Sequence, residues 1–230
     1  MRIFTTLILA GCALCASAAN PVKYELKVGD FNELKVIDPI KVVYSSNADS
    51  AGLAVFICPP EHASQFIFNN PNNKGVLSIQ LSNDESSDPH PTVHVYSNFL
   101  TKVENDGDSL VKVLNPGGGP KFSAKIVGNG RLSIDKVKST DVNATIATGN
   151  GTIVISGECE RANFNLVGTG VIEADGLKAE EVSVKALGTG TVGVWPLKTL
   201  NVTGLSSTKI YYKGDPKIKR SGMGAKIIKI

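Results

Sequence analysis

Residues 168–190 read GTGVIEADGLKAEEVSVKALGTG and contain one complete copy of the repeat that decides the fold. Related triplets of small residues recur through the second half of the chain, with starts 21, 19, 20, 18 and 16 residues apart. They are Gly128-Asn129-Gly130, Gly149-Asn150-Gly151, Gly168-Thr169-Gly170, Gly188-Thr189-Gly190, Ser206-Ser207-Thr208 and Gly222-Met223-Gly224. A period of about 20 residues indicates that one supersecondary unit is stacked repeatedly.

Apolar residues alternate with polar ones on both sides of the triplets. Ile172 and Ala174 follow the third triplet at alternate positions, and Val184 and Ala186 precede the fourth in the same way. Period-two alternation with one apolar face predicts half-buried β-strands. Before Gly149 the alternation slips by one residue, which accounts for the longest spacing. Each repeat is therefore predicted to run strand, Gly-x-Gly turn, strand, second turn.

The second turn has a different chemistry from the first. It falls at Ser156-Gly157, Asp175-Gly176, Trp195-Pro196 and Lys213–Pro216, where Gly, Asp and Pro favour a change of direction. Consecutive hairpins would give a meander or sandwich, whereas a chain that advances along an axis gives a β-solenoid. We favour the solenoid because like turns keep their order, as expected if they stack about 4.8 Å apart. Lysines in 225–230 are expected to blunt the last strand edge.

The composition fits an all-β protein. The 230 residues include 23 glycines and only 6% aromatic residues, and the formal charge of +3 gives no argument for nucleic-acid binding. In the first half we predict strands without the Gly-x-Gly spacing, and a single helical turn at 60–65. The predicted strands are 22–28, 33–37, 40–44, 53–58, 76–81, 92–96 and 110–114. We therefore expect an irregular β-rich half at 19–115 and a repeat half at 116–230, joined at 115–120 by a hinge or a wide loop.

The first 18 residues are predicted to be a signal peptide. Arg2 provides a positive start, 3–14 are apolar, and Ala16-Ser17-Ala18 resembles a cleavage site. A competing interpretation is a lipobox at 9–12, in which Cys12 would carry a lipid anchor. Either one predicts an exported protein that is periplasmic, outer-membrane-associated or extracellular. No later stretch reaches the roughly 20 apolar residues of a transmembrane helix.

Cysteine and histidine give no sign of a metal centre. Cys58 and Cys159 remain after removal of the signal peptide; they are far apart in sequence and are either two thiols or one disulfide. His90 and His94 would lie about 13 Å apart on an extended strand, too far to share a metal. We predict no metal site and no cofactor.

The predicted β-solenoid raises the possibility of catalysis, because polysaccharide lyases and hydrolases include β-helix proteins. Asp135 and Asp175 are expected at like turns two coils apart, at a separation of about 10 Å. That is near the upper end of the range of about 6.5–9.5 Å typical of inverting glycosidases. The intervening coil has Ser156 at this position, however, and Asp at a turn before Gly or Lys is ordinary turn chemistry. The Gly-x-Gly triplets are followed by strands rather than helices, so they do not match a dinucleotide fingerprint. We predict no catalytic residue.

Exposed aromatic residues are the remaining candidates for ligand contact. Trp195 lies at a turn, and Tyr211 lies on the outward phase of its strand. Aromatic rings on a rigid β-surface can stack on sugars, because one side of a sugar ring is apolar. The alternative is that both rings pack at a corner or cap the end of the solenoid.

Two stretches resemble a known family. Asp-Gly-Leu-Lys-Ala-Glu at 175–180 between Gly-x-Gly triplets, and Phe-Asn-Glu-Leu-Lys-Val with Ile-Lys-Val-Val-Tyr in 31–44, resemble the head GIN domain of secreted Bacteroidetes proteins, an autotransporter-adhesin family formerly described as a domain of unknown function. The resemblance covers essentially the whole mature chain. Here Asn or Thr occupies the middle of the triplet where the family often has Ser, and the triplet at 206–208 has lost both glycines.

The resemblance implies a right-handed β-helix shaped like the pectin lyases but without their catalytic residues, and a role in adhesion. It supplies no binding residues for this sequence. The first hypothesis is an exported, non-enzymatic protein that binds a glycan or a cell-surface protein, either as a monomer or as a homo-oligomer. The alternatives are a polysaccharide-active enzyme and a purely structural component of the cell envelope.

Overall fold

The computed structural model describes residues 20–71, 75–82 and 90–230. The predicted signal peptide, with Cys12, lies outside the described residues. The chain forms a β-solenoid of about six turns with parallel stacked coils, which confirms the predicted fold class. In the described ranges, the helix α1 (Pro60–Ala63) and a 3-10 turn at Ala48–Ser50 are short, and no helix has the length and hydropathy needed to cross a membrane.

The strands differ in length between the two halves of the chain. Those of the first half span four to seven residues: β1 (Val22–Lys27), β2 (Phe31–Val36), β3 (Val42–Ser46), β4 (Leu53–Cys58), β5 (Phe66–Asn69), β6 (Gly75–Leu81), β7 (Val93–Ser97), β8 (Lys102–Asn105) and β9 (Leu110–Val113). The repeat half contains β10 (Gly118–Val127), β11 (Arg131–Thr148), β12 (Thr152–Leu166), β13 (Gly170–Ala186), β14 (Gly190–Gly204), β15 (Lys209–Tyr212), β16 (Lys217–Gly222) and β17 (Lys226–Lys229).

The second turn is a bend inside a continuous strand in β11, β12, β13 and β14. The ladders between these strands resume after the bend, with register shifts at it. Lys136 takes a positive φ of 58° at the first of these bends, and Gly157 takes 136° at the next. The last predicted second turn, Lys213–Pro216, is instead a loop between β15 and β16.

Each coil contributes to two faces. The first face contains the strands that follow a Gly-x-Gly corner, in the order β1, β4, β7, β3, β9, the first parts of β11 to β14, β15 and β17. The second face contains the strands that precede a corner, in the order β5, β6, β2, β8, β10, the later parts of β11 to β14, and β16. The apolar core lies between the faces.

The core consists of the residues that the alternation selects. Ile172, Ala174, Val184 and Ala186 are all fully buried, and the equivalent residues of the other long coils are buried as well. The slip before Gly149 is a register shift, at which Val127 pairs with Thr148. An inserted residue of this kind is a β-bulge, and it lengthens one coil without changing which side chains face inward.

The Gly-x-Gly corners bring backbone against backbone. A Cβ atom at Gly170 would overlap the carbonyl oxygen of Gly151 in the preceding coil, and one at Gly151 would meet the Ile126 side chain. Gly149 also has a positive φ of 72°, which favours glycine on conformational grounds. At most corners, however, the close approach of the neighbouring coil is what requires glycine.

The two atypical triplets differ in how they fit this packing. At 206–208 hydroxyl groups replace the glycines: Thr208 Oγ1 donates a 2.8 Å hydrogen bond to the Gly188 carbonyl, and Ser206 Oγ lies 3.0 Å from Thr208 Oγ1. The last triplet is out of phase with the others. Gly222 pairs with Gly204 and belongs to the strand, so that Gly224 is the residue that lies against Ser206.

All seven strands predicted in the first half are present, with ends that differ by at most two residues. Two further strands, β5 and β8, were not predicted. In β8 the inward position after Val103 is Asn105, a buried amide that caps the following turn with hydrogen bonds to Gly107 N, Ser109 O and Arg131 O. A polar residue at an inward position hides the alternation on which strand prediction depends.

The first half continues the solenoid but does not follow chain order. The coil formed by β2 and β3 lies between the later coil of β6 and β7 and the still later coil of β8 and β9. Strands β1, β4 and β5 pair in antiparallel fashion at this end. Stacked aromatic rings, among them Tyr24 on Phe56 at 5.3 Å, fill the space beneath these strands.

The two halves share both faces. Parallel pairs join β8 to β10 and β9 to β11. The connection at 115–117 is hydrogen-bonded to the first half, with Ser46 N to Asn115 O at 3.0 Å and Leu100 N to Pro116 O at 2.7 Å. The segment is thus tied to the solenoid as a loop on its surface.

A buried carboxylate stabilises the second face of the first half. Lys35 and Lys125 each place Nζ 3.3 Å from Glu104 Oε1, and Lys102 Nζ lies 3.7 Å from Oε2. Burial acts to raise the pKa of Glu104, but the hydrogen bond from Lys35 and the charge of Lys125 together outweigh it and hold that pKa below its usual range. These contacts join three adjacent strands, β2, β8 and β10.

We expect Gly170→Ala to lower the free energy of unfolding by about 2 kcal/mol, because the new methyl group overpacks the stacked corner. Gly118→Ala is the matched control, since a Cβ there would meet nothing within 4 Å. Urea denaturation of both variants measures the difference. Equal midpoints for Gly170→Ala and the wild type would show that the corner has room for a side chain.

We expect Glu104→Gln to cost about 1–2 kcal/mol of unfolding free energy at neutral pH, because it removes charge-assisted hydrogen bonds at a buried site. The depressed pKa of Glu104 means that this contribution is present above the carboxyl's unfolded pKa and is lost as the pH falls through the folded pKa. The difference from wild type should therefore shrink on acidification. Glu33→Gln, at an exposed pair with Lys102, should change stability by less than about 0.5 kcal/mol.

Candidate binding surface

Trp195 and Tyr211 lie in adjacent coils on the first face. Tyr211 in β15 pairs with Gly193 in β14, two residues before Trp195. Diagonal neighbours of this kind have Cα atoms about 8 Å apart. Both side chains are half-buried. The structure therefore brings together the two aromatic residues that the sequence singled out.

Gly193 leaves a gap in the surface between them. The opposed residue in the preceding coil is Glu173, and a Cβ at Gly193 would have the Asp175 side chain at 3.6–3.8 Å. Gly193 thus leaves a position without a side chain between Glu173 and Tyr211, which we call the recess; Trp195 lies two residues along β14, and the Lys213–Asp175 ion pair spans the same coil. We call these four residues, Glu173, Gly193, Trp195 and Tyr211, the Tyr211 patch.

The Trp195 ring is held by basic side chains. Lys178 Nζ lies 4.9 Å and Lys213 Nζ 5.5 Å from the ring centroid, within the range of cation–π attraction. Lys213 is itself fixed by Asp175, with a 2.9 Å ion pair to the carboxylate and a 3.1 Å hydrogen bond to the backbone carbonyl. These contacts make Trp195 part of the packing at the bend.

Tyr211 has no such partners. Within the described part of the chain its ring makes no aromatic or cation–π contact, and its hydroxyl makes no hydrogen bond. A half-buried tyrosine with a free hydroxyl beside an open recess presents both an apolar ring face and a polar group. Of the two predicted contact residues, Tyr211 is therefore the better placed to meet a ligand.

The carboxylates considered for catalysis are engaged in contacts between coils. Asp135 Oδ1 accepts a 3.3 Å hydrogen bond from Ser156 Oγ, and Asp175 is paired with Lys213. The first contact joins neighbouring bends of the solenoid, and the second spans the intervening coil of β14. Neither carboxylate lies free beside the other, as an acid–base pair for glycoside cleavage would require.

A second depression, of about 370 Å³, lies near the bend around Cys159. Burial raises the pKa of the Cys159 thiol to about 12, and the charge of Asp141 adds to the effect. The thiol is therefore protonated at neutral pH and is a poor nucleophile. The neighbouring Glu158 is paired with Lys138 at 3.3 Å. Cys58 is buried, and both cysteines are free thiols.

The histidines are dispersed. His62 lies in α1 and His94 is exposed in β7, while His90 packs against the Phe66 ring with centroids 6.2 Å apart. Across the residues that the structure describes, no three His, Cys, Asp or Glu side chains are grouped so that they could hold a metal ion.

Sequence reasoning found the aromatic residues of the patch but not Glu173 and Gly193. These two residues could have been found from their position in the repeat, because equivalent outward residues of successive coils form one column along the solenoid axis. Aligning the repeats in the register of the ladders places Glu173, Gly193 and Tyr211 in the same column.

Several solved structures have a similar fold. A protein named "putative adhesin" from Bacteroides fragilis superposes with a TM-score of 0.77 at 18% identity, over 92% of this chain and 97% of that one. A protein named "putative lipid binding protein" from Parabacteroides distasonis has a TM-score of 0.68 at 20% identity, over 92% and 97%. At these identities the likeness establishes the fold alone. No curated protein matches the sequence.

The family model described as "Putative auto-transporter adhesin, head GIN domain" matches residues 30–216. The match spans β2 to β15 and covers both halves of the solenoid, including all the residues of the Tyr211 patch. This chain therefore belongs to the head GIN domain family of auto-transporter adhesins.

Proposed function

We propose that this protein is an exported, non-enzymatic adhesion protein that binds a glycan or a protein partner at the Tyr211 patch. Membership of the adhesin family supports a binding role. The observation that carries the choice of site is Tyr211 itself, a tyrosine whose ring and hydroxyl make no aromatic, cation–π or hydrogen-bond contact within the described residues and which borders the recess at Gly193. The signal peptide predicted at 1–18 supports export.

The chemistry of the patch suits a sugar ring. The apolar face of a sugar can stack on the tyrosine ring, while its hydroxyl groups can donate to the carboxylate of Glu173 and accept from the Tyr211 hydroxyl. The parallel ladders on both sides hold these groups on a rigid surface, which limits the entropy lost on binding.

The same observations argue against the polysaccharide-active enzyme. Asp135 and Asp175 are each committed to a contact between coils, and the Cys159 thiol has a raised pKa.

We expect Tyr211→Ala to weaken glycan binding at least ten-fold, because loss of a stacked ring removes about 1.5 kcal/mol or more. The measurement is a glycan-array screen of the mature protein, followed by titration of the best ligand. Trp195→Ala should weaken binding less and should also lower the melting temperature, since Trp195 packs against Lys178 and Lys213.

Tyr96→Ala is the matched control. Tyr96 is a half-buried tyrosine on the same face, in β7, and about 35 Å from Tyr211 by strand count. If Tyr96→Ala and Tyr211→Ala weaken binding equally, the patch is not the site. Cleavage of any polysaccharide in a turnover screen would instead establish the enzyme.

A further inference from the structure

The C-terminal end of the solenoid is strongly basic, although the chain as a whole is nearly neutral. Residues 205–230 contain seven lysines and arginines but only one acidic residue, whereas the preceding 204 residues contain 17 basic and 20 acidic ones. The last coil, 217–230, contains five basic residues and no acidic one. The positive charge of this protein is thus concentrated at one end of its long axis.

The basic side chains of the last coil are mostly unpaired. Elsewhere many lysines and arginines form ion pairs with neighbouring coils, as Lys35, Arg161 and Lys198 do. In the last coil only Lys229 is paired, with Asp215. No ion pair is formed by Lys217, Lys219, Arg220 or Lys226 within the described ranges. These four cations are available to an external partner.

Exposed apolar side chains are interspersed with these charges. Met223 and Leu205 are the two most exposed large apolar residues of the described part of the chain, at 82% and 72%, and Ile230 is 60% exposed. Met223 and Leu205 follow the paired residues Gly222 and Gly204, so they occupy equivalent positions in the last two coils. Exposed apolar side chains that neighbour one another in this way, unlike single ones, are typical of interaction surfaces.

The outermost coil of the described residues also leaves inward positions exposed. Strand β16 pairs with β14, and β17 pairs with β15. Ile218 and Arg220 lie opposite the core residues Leu200 and Val202, yet both are exposed. An arginine at an inward position discourages edge-to-edge pairing of strands.

We propose that this C-terminal end docks on a membrane surface rich in anionic phospholipids. Lysines and arginines would lie among the phosphate groups, and Met223, Leu205 and Ile230 would enter the boundary between headgroups and acyl chains. This combination of basic and apolar groups is typical of proteins that lie on an anionic bilayer. The proposal does not depend on the Tyr211 patch, which lies on the first face.

Two other occupants fit the observations less well. A soluble polyanion would pair with the basic side chains but would leave the apolar ones in water. A second copy of the chain lacks charge complementarity, because two such ends repel one another. The outermost strand at the opposite end, β1, carries two lysines and one glutamate and therefore offers no acidic counterpart.

The test is co-sedimentation of the mature protein with vesicles of phosphatidylcholine alone, and with vesicles of equal parts phosphatidylcholine and phosphatidylglycerol. Binding is expected to the anionic vesicles only and should weaken with added salt. The variant K217E/K219E/R220E should lose at least ten-fold in affinity, because each basic residue near the surface contributes several-fold. The control K27E/K41E/K185E makes the same change in net charge at exposed, unpaired lysines elsewhere and should bind nearly as well as the wild type.

A second pair of variants tests the apolar contribution. L205N/M223N should lower the affinity for anionic vesicles several-fold, whereas I57N/L114N, at exposed apolar residues of the first half, should not. Melting curves confirm that each variant folds. The proposal is wrong if the wild type binds neither kind of vesicle, if it binds both equally, or if the two charge variants lose affinity equally. Sedimentation velocity without lipid is the last arm, and self-association that K217E/K219E/R220E abolishes would overturn the membrane assignment in favour of a second copy.

Discussion

The close contact of backbone with backbone at the Gly-x-Gly corners is the constraint on which the solenoid depends. The carbonyl oxygen of one coil lies against the Cα atom of the glycine above it, and a side chain at Gly170 or Gly151 would force the coils apart. Because strands in a sheet lie about 4.8 Å apart, a corner that opened would break the ladders on both faces. Where glycine is missing, Thr208 and Ser206 supply hydrogen bonds instead of close contact.

Because the coils are evenly spaced, equivalent residues of successive coils form columns along the surface of the solenoid. On the second face, the column through β2, β8 and β10 places Lys35, Glu104 and Lys125 side by side. On the first face, the column through β13, β14 and β15 produces the recess of the Tyr211 patch. Stability and binding therefore use the same geometry. A charge or a ring acts with its neighbours about 20 residues away rather than with those beside it in the chain.

The strand edges at the two ends of the solenoid are protected in different ways. At the N-terminal end, antiparallel strands β1, β4 and β5 cover the core with stacked aromatic rings. At the C-terminal end the last coil has no such cover, and Arg220 and Lys229 occupy inward positions. The lysines were expected from the sequence to blunt this edge. The exposed Met223 and Leu205 beside them were not, since exposure depends on where the next coil ends.

The sequence by itself determined the repeat, the inward residues and the corners, because glycine spacing and period-two alternation are local signals. It also pointed to Trp195 and Tyr211 as outward aromatic residues. Only the tertiary structure decided that the coil of β2 and β3 lies between the coils of β6–β7 and β8–β9, that Asn105 is buried, and that Tyr211 lacks the cation–π contacts that hold Trp195. These features depend on which strands pair across long separations in the chain. Strands of similar hydrophobic pattern could pair in several orders, so the sequence of a strand does not identify its partner.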